Sequence, residues 1–266
     1  MKIEGARILL TGATGGIGGA IAKALAERGA RLVVSGRRRD VLERLAAQLP
    51  AESVECVVAD LADPAQVDEL VAEAGAVDVL VANAALPASG PILDFTPEQI
   101  DRALAVNLRA PIALARALLP AMIERGSGHL VFMSSLAGKV APPGSALYSA
   151  TKFGLRGFAL ALREDLHGTG VGVTAIFPGF VREAGMFAET GVRLPRGVGT
   201  STPEQVARAV VAGIERGKVE IDVAPLPMRA GARIAAVAPS LVASVQRRLG
   251  SREIAQRVAR AQAHKR

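Results

Sequence analysis

A phenol and an ammonium four residues apart, Tyr148 and Lys152 in the run Tyr148-Ser149-Ala150-Thr151-Lys152, carry more chemical content than any other pair in this sequence. On a helix that spacing puts both side chains on one face. A phenol with an ordinary pKa of about 10 is a weak acid near neutral pH, and a fixed cation beside it favours the phenolate, so the pair is expected to act as a proton donor with a lowered tyrosine pKa. Tyr148 is the only tyrosine in the chain. Alone, the spacing also describes a pair on a helix surface, and its neighbours decide between the two.

A second chemical feature lies near the N-terminus. An apolar run leads into Thr11-Gly12-Ala13-Thr14-Gly15-Gly16-Ile17-Gly18, and a helical stretch from Ala20 to Arg28 follows. Strand before and helix after make this a phosphate cradle: Gly12, Gly16 and Gly18 permit a tight turn, close approach of a pyrophosphate and close helix packing, while the helix start offers free N–H groups and a positive dipole end. The second strand ends in Ser35-Gly36-Arg37-Arg38-Arg39, with no acid before Asp40. A carboxylate there would hold a ribose 2′-hydroxyl, whereas arginine pairs with a 2′-phosphate, so NADP(H) is expected over NAD(H). Arg37 is the expected contact, with Arg38 and Arg39 facing water.

The elements that must position these groups alternate along the chain. Short β-branched runs occur at Arg7 to Leu10, Arg31 to Ser35, Val54 to Val58, Val77 to Ala82, His129 to Met133, Gly172 to Phe177 and Glu220 to Val223, with Ala/Leu-rich helical stretches between them. Such alternation implies crossover helices on a parallel sheet. Two helix starts share one tetrapeptide, Thr96-Pro97-Glu98-Gln99 and Thr202-Pro203-Glu204-Gln205; Thr is the N-cap, Pro the first helical residue, and Gln sits three after the cap. Residues 178 to 201 form a long connection read as a substrate lid. Met186, Phe187, Val192 and Leu194 make it partly apolar and point to a hydrophobic ligand.

Composition narrows the class. At 266 residues and 50% hydrophobic, the chain can bury the core of one α/β domain. The lone cysteine, Cys56, lies in an apolar strand and reads as a small packing residue. His129, His167 and His264 are too scattered to make a metal site. The net charge of +7 is concentrated in the tail, where the stretch from Gln246 to Arg266 holds seven basic residues and one acid. A nearly neutral body speaks against nucleic acid as a partner. With no leader pattern at Met1-Lys2-Ile3-Glu4 and no run of about 18 uncharged apolar residues, a cytoplasmic protein is expected.

These blocks together resemble the short-chain dehydrogenase/reductase family over about residues 5 to 225. The resemblance rests on Thr11-Gly12-x-x-x-Gly16-x-Gly18, Asp60-Leu61, Asn83-Ala84-Ala85, Asn107, and Ser135 followed thirteen residues later by Tyr148-x-x-x-Lys152. It implies a single doubly wound Rossmann domain with a parallel seven-stranded sheet over residues 1–225, and a basic helical extension over 226–266. It also implies hydride transfer between the nicotinamide and a carbonyl or alcohol carbon, with Tyr148 supplying the proton, Ser135 stabilising the oxygen, Lys152 tuning Tyr148 and binding the ribose, and Asn107 holding a water. Cofactor contacts are expected from Gly12, Thr14, Gly15, Gly16, Ile17, Gly18 and Arg37, from Asp60 and Leu61 at the adenine, from Asn83, and from Pro178, Gly179 and Val181 beside the nicotinamide. The chain departs from the family pattern at Ala85, where glycine is usual, and at Arg182-Glu183, where a threonine usually meets the nicotinamide amide. A catalytically silent nucleotide-binding scaffold is the alternative, opposed by the intact Ser135, Tyr148 and Lys152. An epimerase or dehydratase relative would need a larger C-terminal substrate domain.

Two expectations concern partners. The apolar stretches Ile112 to Ile123 and Phe153 to Leu162 suggest a homodimer or homotetramer. In the tail, Ile234 to Val245 is uncharged, and a helix capped by Ser251 would carry Ile254, Val258 and Ala261 on one face with Arg252, Arg257 and Arg260 elsewhere, a pattern suited to weak peripheral contact with anionic lipid.

Overall fold

The β-branched runs become seven strands in the computed structural model, which describes residues 1–50, 54–194, 198–248 and 251–265. They are β1 (Arg7–Thr11), β2 (Arg31–Gly36), β3 (Val54–Val58), β4 (Val79–Ala82), β5 (Gly128–Met133), β6 (Val171–Pro178) and β7 (Glu220–Val223). Their spatial order is β3-β2-β1-β4-β5-β6-β7, and every pairing is parallel. The order reverses between β1 and β4, which opens a crevice at the carboxyl ends of those strands. β4 starts at Val79, two residues later than the pattern suggests, because Asp78 turns its carboxylate to accept from the Arg7 N–H at 2.8 Å.

Ten helices are described: α1 (Gly16–Ala26), α2 (Arg39–Ala46), α3 (Pro64–Ala74), α4 (Pro97–Leu104), α5 (Ala110–Glu124), α6 (Ala146–Asp165), α7 (Pro203–Arg216), α8 (Leu226–Val237), α9 (Pro239–Arg248) and α10 (Ser251–Gln262). Alternation along β1 sends Ile8 and Leu10 to one face and Leu9 to the other, as the two-residue strand period requires. Ile8 and Leu10 join Ile21, Leu25, Leu42 and Val210 from α1, α2 and α7. Leu9 joins Leu70, Leu114, Leu118 and Leu155 from α3, α5 and α6. Truncating any of these leucines to alanine costs about 2–5 kcal/mol.

Both Thr-Pro-Glu-Gln segments start helices with reciprocal caps. In α4 the Gln99 N–H donates to Thr96 Oγ1 at 3.3 Å and the Thr96 N–H donates to Gln99 Oε1 at 3.0 Å; α7 repeats the arrangement at 3.2 and 2.9 Å. The stretch Pro97–Glu124 is long and apolar enough to cross a membrane by length and composition. Here Leu114, Leu118 and Met122 lie buried against the sheet. Between α4 and α5 the helix widens into a π turn, Ala105–Arg109.

Buried polar residues away from the crevice are structural. His129 is pushed down to about 4 by burial, helped by nearby positive charge, and therefore stays neutral. Thr174 donates its hydroxyl proton to Lys218 O at 2.6 Å, so its oxygen accepts from His129 Nε2 at 2.9 Å. Burial raises the Cys56 thiol, which keeps it unreactive.

Candidate active site

The loop from β1 into α1 is shaped by contacts that exclude side chains. Gly12 has φ +67°, and a Cβ there would lie 2.7 Å from Ala84 Cα. A Cβ on Gly18 would stand 2.2 Å from Gly12 O. Thr11 ties this loop to the end of β4, its Oγ1 accepting from the N–H groups of Asn83 and Ala84 at 3.1 Å each. Asn83 closes the same junction by donating from Nδ2 to Thr11 O and Gly12 O. With no acidic residue in its first turn, α1 presents a helix start suited to an anion, and the bare backbone around Gly12 to Gly18 fits a dinucleotide pyrophosphate.

At the end of β2, Gly36 is a steric requirement as well as a missing acid, since a Cβ there would meet Thr14 Cγ2 at 2.8 Å. Arg37 is exposed, and its charge helps lower the Asp60 carboxyl. Arg38 is exposed, as expected, and its NH2 also donates to Thr14 O at 3.2 Å, bracing the glycine loop. Asp60 is half-buried, and burial raising its pKa is outweighed by hydrogen bonds from Arg102 at 2.7 Å and the Ala62 N–H at 3.0 Å. Arg102 escaped the sequence reading because a partner 42 residues away leaves no local pattern. Leu61, the next residue, is buried beside it.

The proton-handling group assembles where β5 ends. Ser135 Oγ accepts from the Ala137 N–H at 3.1 Å and donates to Pro178 O at 3.4 Å. Tyr148 stands in the first turn of α6, half-buried, with the Ser135 hydroxyl near enough to influence its phenol. One turn on, Lys152 is 1% exposed. Its Nζ donates to Met133 O at 2.9 Å and lies 5.7 Å from the centre of the Tyr148 ring. Ser134 is committed elsewhere, donating to Lys152 O at 3.0 Å.

The electrostatics correct one expectation. Burial pushes the Tyr148 phenol up to about 12 and only the Ser135 hydroxyl opposes it, while burial pulls Lys152 down to about 8. Burial therefore dominates the tyrosine here: loss of water penalises both charged forms, and the ammonium is held on Met133 O.

Asn107 sits in the π turn, 1% exposed, accepting at Oδ1 from the Leu86 N–H at 2.6 Å and donating from Nδ2 to Leu86 O at 3.0 Å. Its side chain is committed to the loop after β4, which leaves the loosened π-turn carbonyls as the groups for the expected water.

The lid crosses this crevice. Gly179 N–H donates to Val223 O at 3.0 Å, Val181 is buried and bridges to Ser201, and the Ser201 N–H donates to Phe180 O at 2.8 Å. Arg182 and Glu183, in the place of the usual threonine, pair with each other at 2.7 Å. Glu183 adopts φ +71°, a left-handed conformation uncommon outside glycine. That turn lays Ala184 on Gly16, where an added Cβ would come within 2.2 Å of the Ala184 Cβ, and brings Gly185 onto Ile17. Phe180 and Phe187 stack with ring centres 4.6 Å apart. Residues 195–197 of the expected lid lie outside the described residues.

The C-terminal helix meets the lid: Ala259 and Gln262 of α10 are buried, α10 packs on the short turn Ala188–Thr190, and Ile254, Val258 and Ala261 are half-buried.

Sequence and structure comparisons agree with this geometry. The short chain dehydrogenase family matches residues 6–193. The ketoacyl reductase HetN of Nostoc sp. is 37% identical over 232 residues, covering 85% of this chain and 81% of that protein. A short-chain dehydrogenase from Sphingobium yanoikuyae in complex with NADPH superposes with a TM-score of 0.77 at 29% identity, covering 88% of this chain and 93% of that one. One from Burkholderia phymatum in complex with NAD gives 0.81 at 25% identity, covering 91% and 96%. A glycine cradle after β1, a Ser–Tyr–Lys cluster after β5, and a family match over most of the length converge: the chain belongs to the short-chain dehydrogenase/reductase family of Rossmann-fold NAD(P)-dependent oxidoreductases.

Proposed function

We propose that this enzyme is an NADPH-preferring reductase of apolar carbonyl compounds, with Ser135, Tyr148 and Lys152 as its catalytic residues. The carrying observation is that Ser135 and Tyr148 are brought together beside buried Lys152 at the carboxyl end of the sheet. When bound, the nicotinamide supplies hydride for reduction and accepts it for oxidation. Tyr148 keeps its proton at neutral pH because burial holds its pKa near 12. An alkoxide is more basic than a phenolate, so the proton moves downhill to the substrate oxygen as negative charge develops there. Ser135 donates a hydrogen bond to that oxygen. Lys152, charged below about pH 8, stabilises the phenolate that remains.

The cofactor reading follows from the chain's own surfaces. Gly12 to Gly18 receive the pyrophosphate, Asp60 and Leu61 border the adenine, and Pro178, Gly179 and Val181 border the nicotinamide. Arg37 is the residue to meet a 2′-phosphate, and no acid stands at Gly36 to repel it. Structural relatives are in complex with NADPH and NADP+ and with NAD and NADH, so the preference rests on this chain's own residues and NAD(H) is the comparison to be measured. Asn107 serves as a positioning residue through Leu86.

Oxidation of NADPH, and in parallel NADH, by a panel of apolar ketones and aldehydes tests the proposal. Faster turnover with NADPH is expected. NADPH binding without turnover of any carbonyl would indicate a silent nucleotide-binding scaffold and overturn it.

We further infer a cytoplasmic homo-oligomer, dimer or tetramer. Its support is the exposure of Ile123 on α5 and Phe153 on α6, apolar side chains that a second copy would cover. A monomeric mass at micromolar concentration sinks this inference.

A further inference from the structure

The last helix touches three loops that surround the catalytic group. Ala255 lies against Gly144, in the loop leading to Tyr148, where an added Cβ would come within 3.3 Å. Gly144 O in turn accepts from the Gly90 N–H at 2.7 Å, joining that loop to the one after β4. At the end of α10, Gln262 Nε2 donates to Met186 O of the lid at 3.0 Å, and Lys265 pairs with Glu189. Pro87, Met186, Glu189, Ala261, Gln262 and Lys265 enclose a narrow cleft between these elements.

Gln262 is 6% exposed, an unusual degree of burial for a primary amide. Only half of its amide is used. Nε2 is bonded to Met186, while Oε1 is buried without a partner among the described residues. A buried acceptor left unpaired costs about 1–3 kcal/mol. Its place on the cleft wall gives it a ligand to wait for.

Resting on the reductase reading above, we propose that α10 is a strap that completes the substrate site, and that Gln262 is its specificity-determining residue, fixing the lid through Nε2 and receiving a hydrogen-bond donor of the substrate at Oε1. The reacting carbonyl cannot be that donor, because its oxygen only accepts. The substrate therefore carries a second group, a hydroxyl or an amide N–H, that reaches the cleft while the carbonyl meets Ser135 and Tyr148. The cleft has room for about one water-sized group, which suits a single polar end and not the apolar body.

Full-length enzyme and the Gln262→Met variant, which keeps the side chain's length and deletes the amide, are compared with NADPH on para-hydroxylated and unsubstituted phenyl ketones of graded chain length. Wild type is expected to favour the hydroxylated member of at least one pair, and the variant to lose that preference by about 5- to 10-fold in kcat/KM. Amide hydrogen exchange over residues 182–190 should rise in the variant, a readout that needs no substrate. Arg260→Ala, on the exposed side of α10 and away from the cleft, should leave the ketone preference unchanged. Turnover with an unchanged preference overturns the acceptor role, and unchanged lid exchange overturns the strap. Absence of turnover with every ketone instead overturns the reductase reading, and with it the acceptor role of Oε1.

Discussion

The glycine loop and the lid meet at Gly16 and Ala184, yet they obey different rules. In the loop, backbone stands so close to backbone that Gly12 and Gly18 admit no Cβ; shape is set by what a pyrophosphate needs. In the lid, contacts run through side chains such as Phe180 and Phe187 and the Gln262 amide that meets it from α10, the last helix of the chain. A cradle for an invariant ligand tolerates little change, whereas a wall for a variable substrate can be rebuilt residue by residue. Gly18→Ala tests the first half of that contrast. Its methyl would sit 2.2 Å from Gly12 O and 2.8 Å from Ala13 Cα, so the first turn of α1 must shift. Displacing two charge-assisted N–H contacts to phosphate, each worth about 1.5–3 kcal/mol, lowers NADPH affinity by more than ~100-fold. Titration calorimetry with NADPH measures it, and an affinity within tenfold of wild type would show the loop to be as forgiving as the lid.

Next in size is the loss of the proton itself. Tyr148→Phe keeps the ring and is expected to leave NADPH binding nearly intact while turnover falls by about 100-fold or more. The pH profile of reduction in wild type sharpens the assignment: Lys152 carries its charge below about pH 8 and loses it above, so kcat should decline as pH rises through that value. A Tyr148→Phe enzyme with near-normal kcat, or a wild-type profile flat to pH 10, breaks the mechanism.

A milder effect is expected at the adenosine end, where both halves of the contrast meet. Arg37→Ala should weaken NADPH by about tenfold and NADH far less, as expected when one charge-assisted contact to a phosphate is removed. Arg38→Ala should weaken both cofactors alike, because that side chain braces Thr14 O in the loop they share. Equal losses of NADPH and NADH in the Arg37 variant would remove it from 2′-phosphate recognition.

What could be read ahead of the structure follows the same divide. The capping tetrapeptides at Thr96 and Thr202 act over three residues, and both were legible because their partners are local. The cradle was legible because glycine is the one residue whose absence of a side chain is itself the signal. The pKa of Tyr148 was not: its value depends on how much water the folded crevice excludes, which the Tyr-x-x-x-Lys spacing does not encode. Arg102 on Asp60 and Gln262 on Met186 join residues 42 and 76 positions apart, and no periodicity records such pairs. The amphipathic pattern of α10 was read correctly as a pattern. That α10 also packs on the lid turn Ala188–Thr190 was not, because those residues lie far away in the chain.

The smallest predicted effect concerns the remaining outer surface of the extension. Beside half-buried Ile254 and Val258 of α10, the exposed large apolar groups of the C-terminal helices are Leu226, Ile234 and Val237 on α8 and Leu241 and Val245 on α9, with Arg233, Arg247 and Arg248 also exposed. No acid occurs between Asp222 and Glu253. Shallow insertion of a few aliphatic side chains, joined by basic residues each worth about 1 kcal/mol near an anionic surface, would give weak, salt-sensitive attachment. Val237→Ser with Leu241→Ser should therefore reduce co-sedimentation with anionic vesicles several-fold and leave turnover unchanged, whereas Arg257→Gln with Arg260→Gln on α10 should reduce it by about twofold through charge alone. Equal sedimentation of wild type with neutral and anionic vesicles, or no loss in the double serine variant, assigns this face to a role other than lipid contact.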